Sequence, residues 1–331
     1  MKKKTIKLFG ITMSMLLLLT GCGKVPKLEN GQDAVVTLDG GDISVDELYN
    51  SMKERYGVTQ LIELADTQIL NSKYKNDQDI EDRVQDYYDI QVAYLGGEDN
   101  LLTQLKNEGF SDADDFKDYL RLYYMRKQAT TDYTKSIVSD SEIEDFYDEV
   151  IFGDISAKHI LITPDVATNA TDAEKTEAEA NALKEANEII SKLNNGEDFD
   201  ELAKEYSDDE ATASKGGQLV DISHGNLIEG MENLEEVIRD LEVGKYTTEP
   251  VKSSLGYHII YKVSQKDKPE LKSVKDSIVE EIAANKLAED PSLEVTALVE
   301  LRKEYNFSIQ DDSLKNRYDS YIDYLKEQAS N

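Results

Sequence analysis

The chain has 331 residues, with 68 Asp and Glu against 37 Lys and Arg, and its formal net charge is −31. This charge argues against nucleic acid as a partner, because phosphate binding requires clustered Lys and Arg. With Cys22 as the single cysteine, the chain cannot form an internal disulfide, and nothing after residue 22 can supply a thiolate to a metal or act as a cysteine nucleophile.

The first 21 residues have the features of a secretory signal peptide. Four lysines precede an apolar stretch at residues 8–19, which is short for crossing about 30 Å of hydrocarbon. The segment ends in Leu19-Thr20-Gly21-Cys22, which resembles the lipobox of bacterial lipoproteins. The resemblance implies a signal peptide at 1–21, a lipid such as palmitate on Cys22, and a tether at 22–33 on the extracytoplasmic face of a Gram-positive-type cell membrane. The alternative is an ordinary N-terminal anchor helix with an accidental cysteine.

Residues 34–150 are predicted to form a mainly helical N-terminal segment. A short strand at 34–38 and a turn at 39–41 come first. Ser44 and Glu47 then form a capping box, which predicts a helix start. Apolar residues at helical spacing continue to about residue 149, with Ser111 and Asp114 as a second cap. Many of the apolar positions are tyrosines, which bury a ring and keep a polar tip.

Residues 151–267 show a different pattern, in which strands and helices alternate. Strands are predicted at 155–162, 248–251 and 256–263, and helices at 172–194, 198–206 and 232–241. The tail, residues 268–331, is again helical and apolar on one side. We expect it to pack on 34–150, because short amphipathic helices are not stable alone.

The middle segment holds all three histidines, and its chemistry is open on the residues alone. His159 and His258 occupy predicted strands, and Asp208 and Asp209 follow a helix end. A zinc site lacks the usual ligand spacing, and a hydrolase triad lacks a Gly-x-Ser-x-Gly elbow. A purely structural pair of core histidines is the main alternative to a catalytic role. His224 is interpreted as an exposed turn residue.

Five motifs of this segment, in order, resemble those of parvulin-type peptidyl-prolyl isomerases. They are AKHIL at 157–161, LAKEYSDD at 202–209, KGGQL at 215–219, LEVGK at 241–245, and EPV with LGYHII at 249–251 and 255–260. The layout of the whole chain resembles the PrsA-type foldase lipoproteins of Gram-positive bacteria, which are related in layout to SurA-like chaperones.

The resemblance implies an α+β fold in which a parvulin domain, a four-stranded sheet wrapped by helices at 151–267, is inserted between helical segments that form one chaperone-like domain. It implies His159, Asp209 and His258 as catalytic residues, with Asp208 as an alternative to Asp209. It also implies that the reaction requires neither a cofactor nor a metal. It further implies an apolar pocket for the proline ring, formed by Leu219, Ile222, Leu227 and Met231.

The pocket departs from the family pattern, and two functions therefore compete. Parvulins usually carry Phe at the positions of Ile222 and Met231, Met at Leu227 and Gly at Val220, so flat ring surface is lost here. The favoured function is a foldase that isomerises X-Pro bonds in newly exported proteins and also binds them as a chaperone. The alternative is a holdase with a degenerate, non-catalytic parvulin domain. A second copy of the chain is considered as a further partner.

Overall fold

The computed structural model describes residues 33–39, 41–227 and 230–330. The predicted signal peptide, Cys22 and the tether up to residue 32 lie outside this part of the chain. The elements in chain order are β1 Ala34–Val36, β2 Ile43–Ser44, α1 Val45–Lys73, α2 Gln78–Tyr94, α3 Glu98–Glu108, α4 Ala113–Ser136, α5 Asp140–Val150, β3 Ile155–Ile162, α6 Asp172–Asn194, α7 Phe199–Tyr206, β4 Gln218–Ile222, α8 Glu235–Asp240, β5 Val251–Lys252, β6 Tyr257–Gln265, α9 Leu271–Glu289, α10 Leu293–Glu304 and α11 Asp312–Ser330. None of the described helices is long and apolar enough to span a membrane.

The described chain divides into two compact units. One joins the residues up to Val138 with those from Ile282 on, and the other is Ser139–Glu281. The second unit therefore includes α5 and the first part of α9, in addition to the segment 151–267 predicted as the isomerase domain. Inside this unit the Tyr147 hydroxyl of α5 donates to the carbonyl of Pro269, 2.7 Å away.

The discontinuous unit is a helical assembly in which the chain from Ile282 on packs on the N-terminal segment. Leu301 of α10 is buried in the core built from α1–α4, and Ile322 of α11 packs with Val58 and Ile62 of α1. A buried ion pair adds to this: the guanidinium of Arg302 donates to both carboxylate oxygens of Asp66, at 2.7 and 2.8 Å. Removing one partner would leave a buried charge unpaired, so the pair fixes how the two chain segments meet.

Two details of the helical unit follow from local hydrogen bonds. Ser44 and Glu47 form the predicted capping box at the start of α1. The cap of α4 lies one residue later than predicted, because Asp112 rather than Ser111 accepts from the Asp115 backbone N–H, at 2.9 Å. Ser111 instead donates to the Asp115 carboxylate from its own backbone N–H.

The Ser139–Glu281 unit is built on a four-stranded antiparallel sheet in the order β4-β3-β6-β5, which confirms the predicted fold class. Helices α6 and α7 cover one face, where Ile160, Ile162 and Ile259 are buried. The other face carries Ile155, Ala157 and Ile260. The predicted strand at 248–251 is reduced to Val251–Lys252, since Pro250 has no N–H to continue the ladder.

Candidate active site

The centre of the site is the pair His159 and His258 on the two middle strands. Strand pairing places His159 opposite Ile260 and His258 opposite Leu161, so the two rings are diagonal neighbours on the same face of the sheet. Their Nδ1 atoms are 3.2 Å apart, and their rings stack with centroids 5.4 Å apart. Both side chains are buried, with His159 1% and His258 0% exposed.

Gly217 lets the edge strand approach His159 closely. The His159 backbone N–H donates to the Gly217 carbonyl at 2.8 Å, just before β4 begins. Gly217 has a φ of +74°, and a Cβ added there would lie 1.9 Å from the His159 carbonyl oxygen. The second glycine of the KGGQL motif is therefore required by sterics as well as by backbone conformation.

The structure brings Asp209, and not Asp208, to the histidine pair. The Asp209 carboxylate lies 2.8 Å from Nε2 of His159, whereas the Asp208 carboxylate accepts from the backbone and hydroxyl of Thr163 at 2.7 and 2.8 Å. The turn is anchored to β3, because Asp208 N–H donates to the Leu161 carbonyl at 2.8 Å. The two neighbouring acids thus have separate tasks, and Asp208 fixes the end of the strand.

Two hydroxyl groups that were not predicted complete a hydrogen-bonded chain. The Thr212 hydroxyl donates to the Asp209 carboxylate, and the Ser253 hydroxyl lies 2.7 Å from Nε2 of His258. Because Asp209 is an acceptor, His159 carries its proton on Nε2, and its Nδ1 accepts from Nδ1–H of His258. Nε2 of His258 then accepts from Ser253. The tautomers are therefore fixed, and every donor in the chain points towards Asp209.

The charges in this chain follow from burial and from these bonds. Burial lowers the pKa of His159 despite the nearby Asp209 carboxylate. Burial, followed by the neighbouring His159, lowers the pKa of His258 to about 4. Burial alone would raise the pKa of Asp209, but hydrogen bonds from Thr212 and His159 lower it. At neutral pH the site therefore holds two neutral rings and one carboxylate, which is 23% exposed.

The four predicted pocket residues share the apolar cluster on the same sheet face. Ile222 and Met231 are buried in it with Ala157 and Ile260, while Leu219 and Leu227 are partly buried against it. Leu219 pairs with Ala157 across the strands, two residues along β3 from His159. Because Ile222 and Met231 are almost fully covered, the surface left for a ligand belongs to Leu219 and Leu227.

The surroundings offer little to a metal ion. Within the described ranges, no three His, Cys, Asp or Glu side chains are grouped as metal ligands. A cleft of about 300 Å³ lies elsewhere in this unit, beside Glu174, Glu177 and Asn181 of α6.

Comparisons with known proteins agree with this geometry. Residues 159–264 match the model of the rotamase family, the PPIC-type PPIASE domain. Foldase protein PrsA 4 from Bacillus cereus is 30% identical over 319 residues, which cover 96% of this chain and 98% of that protein. The chain belongs to the PrsA foldase family.

Further PrsA proteins show the same extent of similarity. Foldase protein PrsA from Geobacillus kaustophilus is 32% identical over 302 residues, or 91% of this chain and 93% of that protein. The crystal structure of foldase protein PrsA from Streptococcus pneumoniae is 17% identical, with a TM-score of 0.57 over 87% of this chain and all of that chain, and it shares the fold. This PrsA-family chain is a foldase and a parvulin-type peptidyl-prolyl cis-trans isomerase.

The third histidine of this PrsA-family chain is less exposed than predicted. His224 is in a turn, but its side chain is only 22% exposed, and each ring nitrogen faces a glutamate. The interpretation as an exposed turn residue is therefore wrong, because residues distant in the sequence cover the ring.

Proposed function

We propose that this foldase isomerises X-Pro bonds in newly exported proteins and that Asp209 is the group that acts on the substrate carbonyl. The observation that supports this role is the direction of the hydrogen-bonded chain, which ends at a partly exposed, ionised Asp209. His159 and His258 are too buried to contact a peptide. They therefore act as positioning residues, which hold the carboxylate at one place and in one charge state.

The reaction needs no covalent step. Rotation about an X-Pro bond has a barrier of about 18–20 kcal/mol, because the planar amide is stabilised by resonance. A catalyst has only to favour the twisted amide over both planar forms. An apolar surface at Leu219 and Leu227 would hold the proline ring while the preceding carbonyl rotates.

A fixed carboxylate beside that carbonyl would favour the twisted form. Resonance places negative charge on the oxygen of the planar amide, and this charge decreases when the amide twists. The Asp209 carboxylate would therefore destabilise the planar forms more than the twisted one. A preorganised charge has this effect because its partners need not rearrange during the reaction.

The two neighbouring acids provide a matched test. NMR exchange on an Ala-Pro tetrapeptide would be measured with the chain from Gly23 to Asn331 and its Asp209→Asn and Asp208→Asn variants. Asparagine keeps the acceptor for His159 but removes the charge, so Asp209→Asn should lower kcat/KM by about tenfold to a hundredfold. Asp208→Asn, which changes only the contact with Thr163, should stay within about twofold. Equal losses in both variants would contradict the role of Asp209.

We also propose that the chain works at the outer face of the membrane, held by lipid on Cys22. The lipobox-like Leu19-Thr20-Gly21-Cys22 supports this proposal. Several acyl chains, at about 0.8 kcal/mol per buried CH₂, would anchor the protein stably. Cells fed radiolabelled palmitate should label the wild-type chain in the membrane fraction and leave Cys22→Ser unlabelled. Equal label in the variant would place the lipid elsewhere.

A chaperone activity beside isomerisation is supported by exposed apolar side chains at the start of the helical unit. Nine large apolar side chains within 22 residues are more than a third exposed, and clusters of this kind mark interaction surfaces. They are Val35, Val36, Leu38, Ile43, Val45, Leu48, Tyr49, Met52 and Tyr56.

Client protection can be separated from isomerisation by substitution. The double variant Tyr49→Ser, Met52→Ser should suppress the aggregation of urea-denatured citrate synthase less well than wild type, with unchanged tetrapeptide isomerisation. Tyr94→Ser, which removes an exposed tyrosine from the end of α2, is the matched control. If the control loses as much protection as the double variant, this surface has no special part in client binding.

A further inference from the structure

His224 links the loop after β4 to two helices of the same unit. Its Nδ1 lies 2.5 Å from Glu235 of α8, and its Nε2 lies 2.9 and 3.1 Å from the two carboxylate oxygens of Glu281 on α9. The neighbouring Gly225 N–H donates to the second oxygen of Glu235 at 2.7 Å. The Phe146 ring, from α5, lies nearly perpendicular to the His224 ring, with the ring centroids 5.6 Å apart.

This geometry requires a charged ring. A neutral imidazole has one nitrogen lone pair, which would face a carboxylate at hydrogen-bond distance, whereas an imidazolium donates to both. Burial opposes the charge, but the hydrogen bonds to Glu235 and Glu281 raise the pKa of His224 above its ordinary value. Among the described residues the charged groups on the ring are these two glutamates, from α8 and α9, while α5 contributes the uncharged Phe146.

The loop that His224 holds also carries the apolar surface of the site. Ile222 precedes His224 and Leu227 follows it; Ile222 belongs to the apolar cluster beside the histidine pair, and Leu227 packs against it. Asn226 closes the turn on itself by accepting from the Ser223 N–H at 2.9 Å and donating to the Asp221 carbonyl at 2.7 Å. The hydrogen bonds of His224 and Gly225 therefore connect this turn to Glu235 of α8 and Glu281 of α9.

We infer that His224 is a positioning residue for substrate binding: clamped between Glu235 and Glu281, it keeps Leu227 in place for the proline ring. The inference rests on the proposed part of Leu227 in binding. Loss of the proton removes one donor and leaves two carboxylates close together. The loop then loosens, and substrate binding weakens while Asp209 stays in place.

The direction of the pH effect follows from the sign of the shift. A histidine whose pKa is raised by folding contributes stability that is complete below its unfolded value of about 6.5 and is lost as the pH rises through the folded value. The clamp is therefore closed below about pH 6.5 and opens as the pH rises through the raised pKa of His224. Losing a contact of about 1 kcal/mol corresponds to about fivefold in binding.

The test compares kcat and KM for the Ala-Pro tetrapeptide across this pH range, in the chain from Gly23 to Asn331. The wild-type KM should rise by about fivefold at alkaline pH. His224→Gln should show the raised KM at every pH, with kcat falling by less than about twofold. His224→Arg, whose charge persists and whose five N–H groups can reach both glutamates, should keep the low KM at alkaline pH. Glu188→Gln changes a charged side chain on the exposed face of α6, away from the loop, and should match wild type.

A second measurement separates failure of this inference from failure of the proposed function. Ring ¹⁵N shifts of His224 and methyl shifts of Leu227 would be followed through the same titration. If both move together while KM stays constant, the clamp exists and the binding role of Leu227 is wrong. If His224 titrates near its ordinary value, or if the Gln and Arg variants share one pH profile, the positioning role of His224 is overturned.

Discussion

His159 and His258 are buried next to each other on one face of the sheet, whereas His224 lies nearer the surface between two carboxylates. The first pair is almost fully buried, and burial lowers the pKa of both rings. His224 is partly buried as well, yet its pKa is raised, because hydrogen bonds to Glu235 and Glu281 outweigh burial. Burial alone therefore does not set the charge of a histidine in this unit.

The difference lies in the number of carboxylates that each ring meets. Within the described part of the chain, Asp209 is the one acid hydrogen-bonded to the buried pair. It accepts from His159, whose tautomer in turn fixes that of His258. Two acids meet His224, and both of its nitrogens must donate. The same side chain thus serves as a neutral relay in one place and as a charged link in the other.

The largest expected effect is a loss of unfolding free energy at acidic pH, caused by the buried histidine pair. An unfolded histidine binds its proton near pH 6.5, whereas His258 in the folded protein does so near 4. Between these values the unfolded state binds more protons, so stability falls as the pH falls, by about 3 kcal/mol for His258. His159, whose pKa is also lowered, acts in the same direction.

The measurement is urea unfolding at pH 7 and at pH 4.5, followed through the NMR signals of β6 amides. His258→Asn should flatten the pH dependence of the unfolding free energy relative to wild type. A variant with the same pH dependence as wild type would show that other groups, and not this buried ring, cause the acid sensitivity.

A smaller effect is expected when the far end of the relay is cut. Ser253→Ala leaves Nε2 of buried His258 without a donor, which costs about 2 kcal/mol of unfolding free energy. Ser254→Ala is the matched control, since its exposed hydroxyl makes only a long bond of 3.3 Å to the Gly230 carbonyl, and it should cost less than about 0.5 kcal/mol. Urea unfolding at pH 7 measures both, and similar costs would argue against the relay.

Local pattern and motif order predicted much of this molecule. Apolar alternation indicated β3, the pair Ser44 and Glu47 indicated the start of α1, and the parvulin motifs brought His159 and His258 together in one domain. These features depend on residues that are close in sequence or on a family pattern. They were accessible because each is specified by its own short segment.

Other features depend on distant partners and could not be predicted. Adjacent acids such as Asp208 and Asp209 are equivalent in sequence, and what separates them in the fold is the bond from Thr163, just after the end of β3, to Asp208. Nothing in the sequence distinguishes the hydroxyl of Ser253, which contacts His258, from those of the other serines. His224 meets Glu281 only after the chain has returned through 57 further residues. The candidate site residues could therefore be named from the sequence, whereas the hydrogen bonds that fix their charges depend on contacts made only in the fold.

The smallest expected effect distinguishes the two glutamates that hold His224. Glu235 accepts from both the ring and the Gly225 N–H and is 17% exposed, whereas Glu281 is 42% exposed and more open to screening by water. Glu235→Gln should therefore lower the proton affinity of His224 by about fivefold, and Glu281→Gln by about twofold. An NMR titration of the His224 ring measures both. If Glu281→Gln had the larger effect, the bond to α9 rather than the bond to α8 would set the charge of His224, and the loop would be held mainly from that helix.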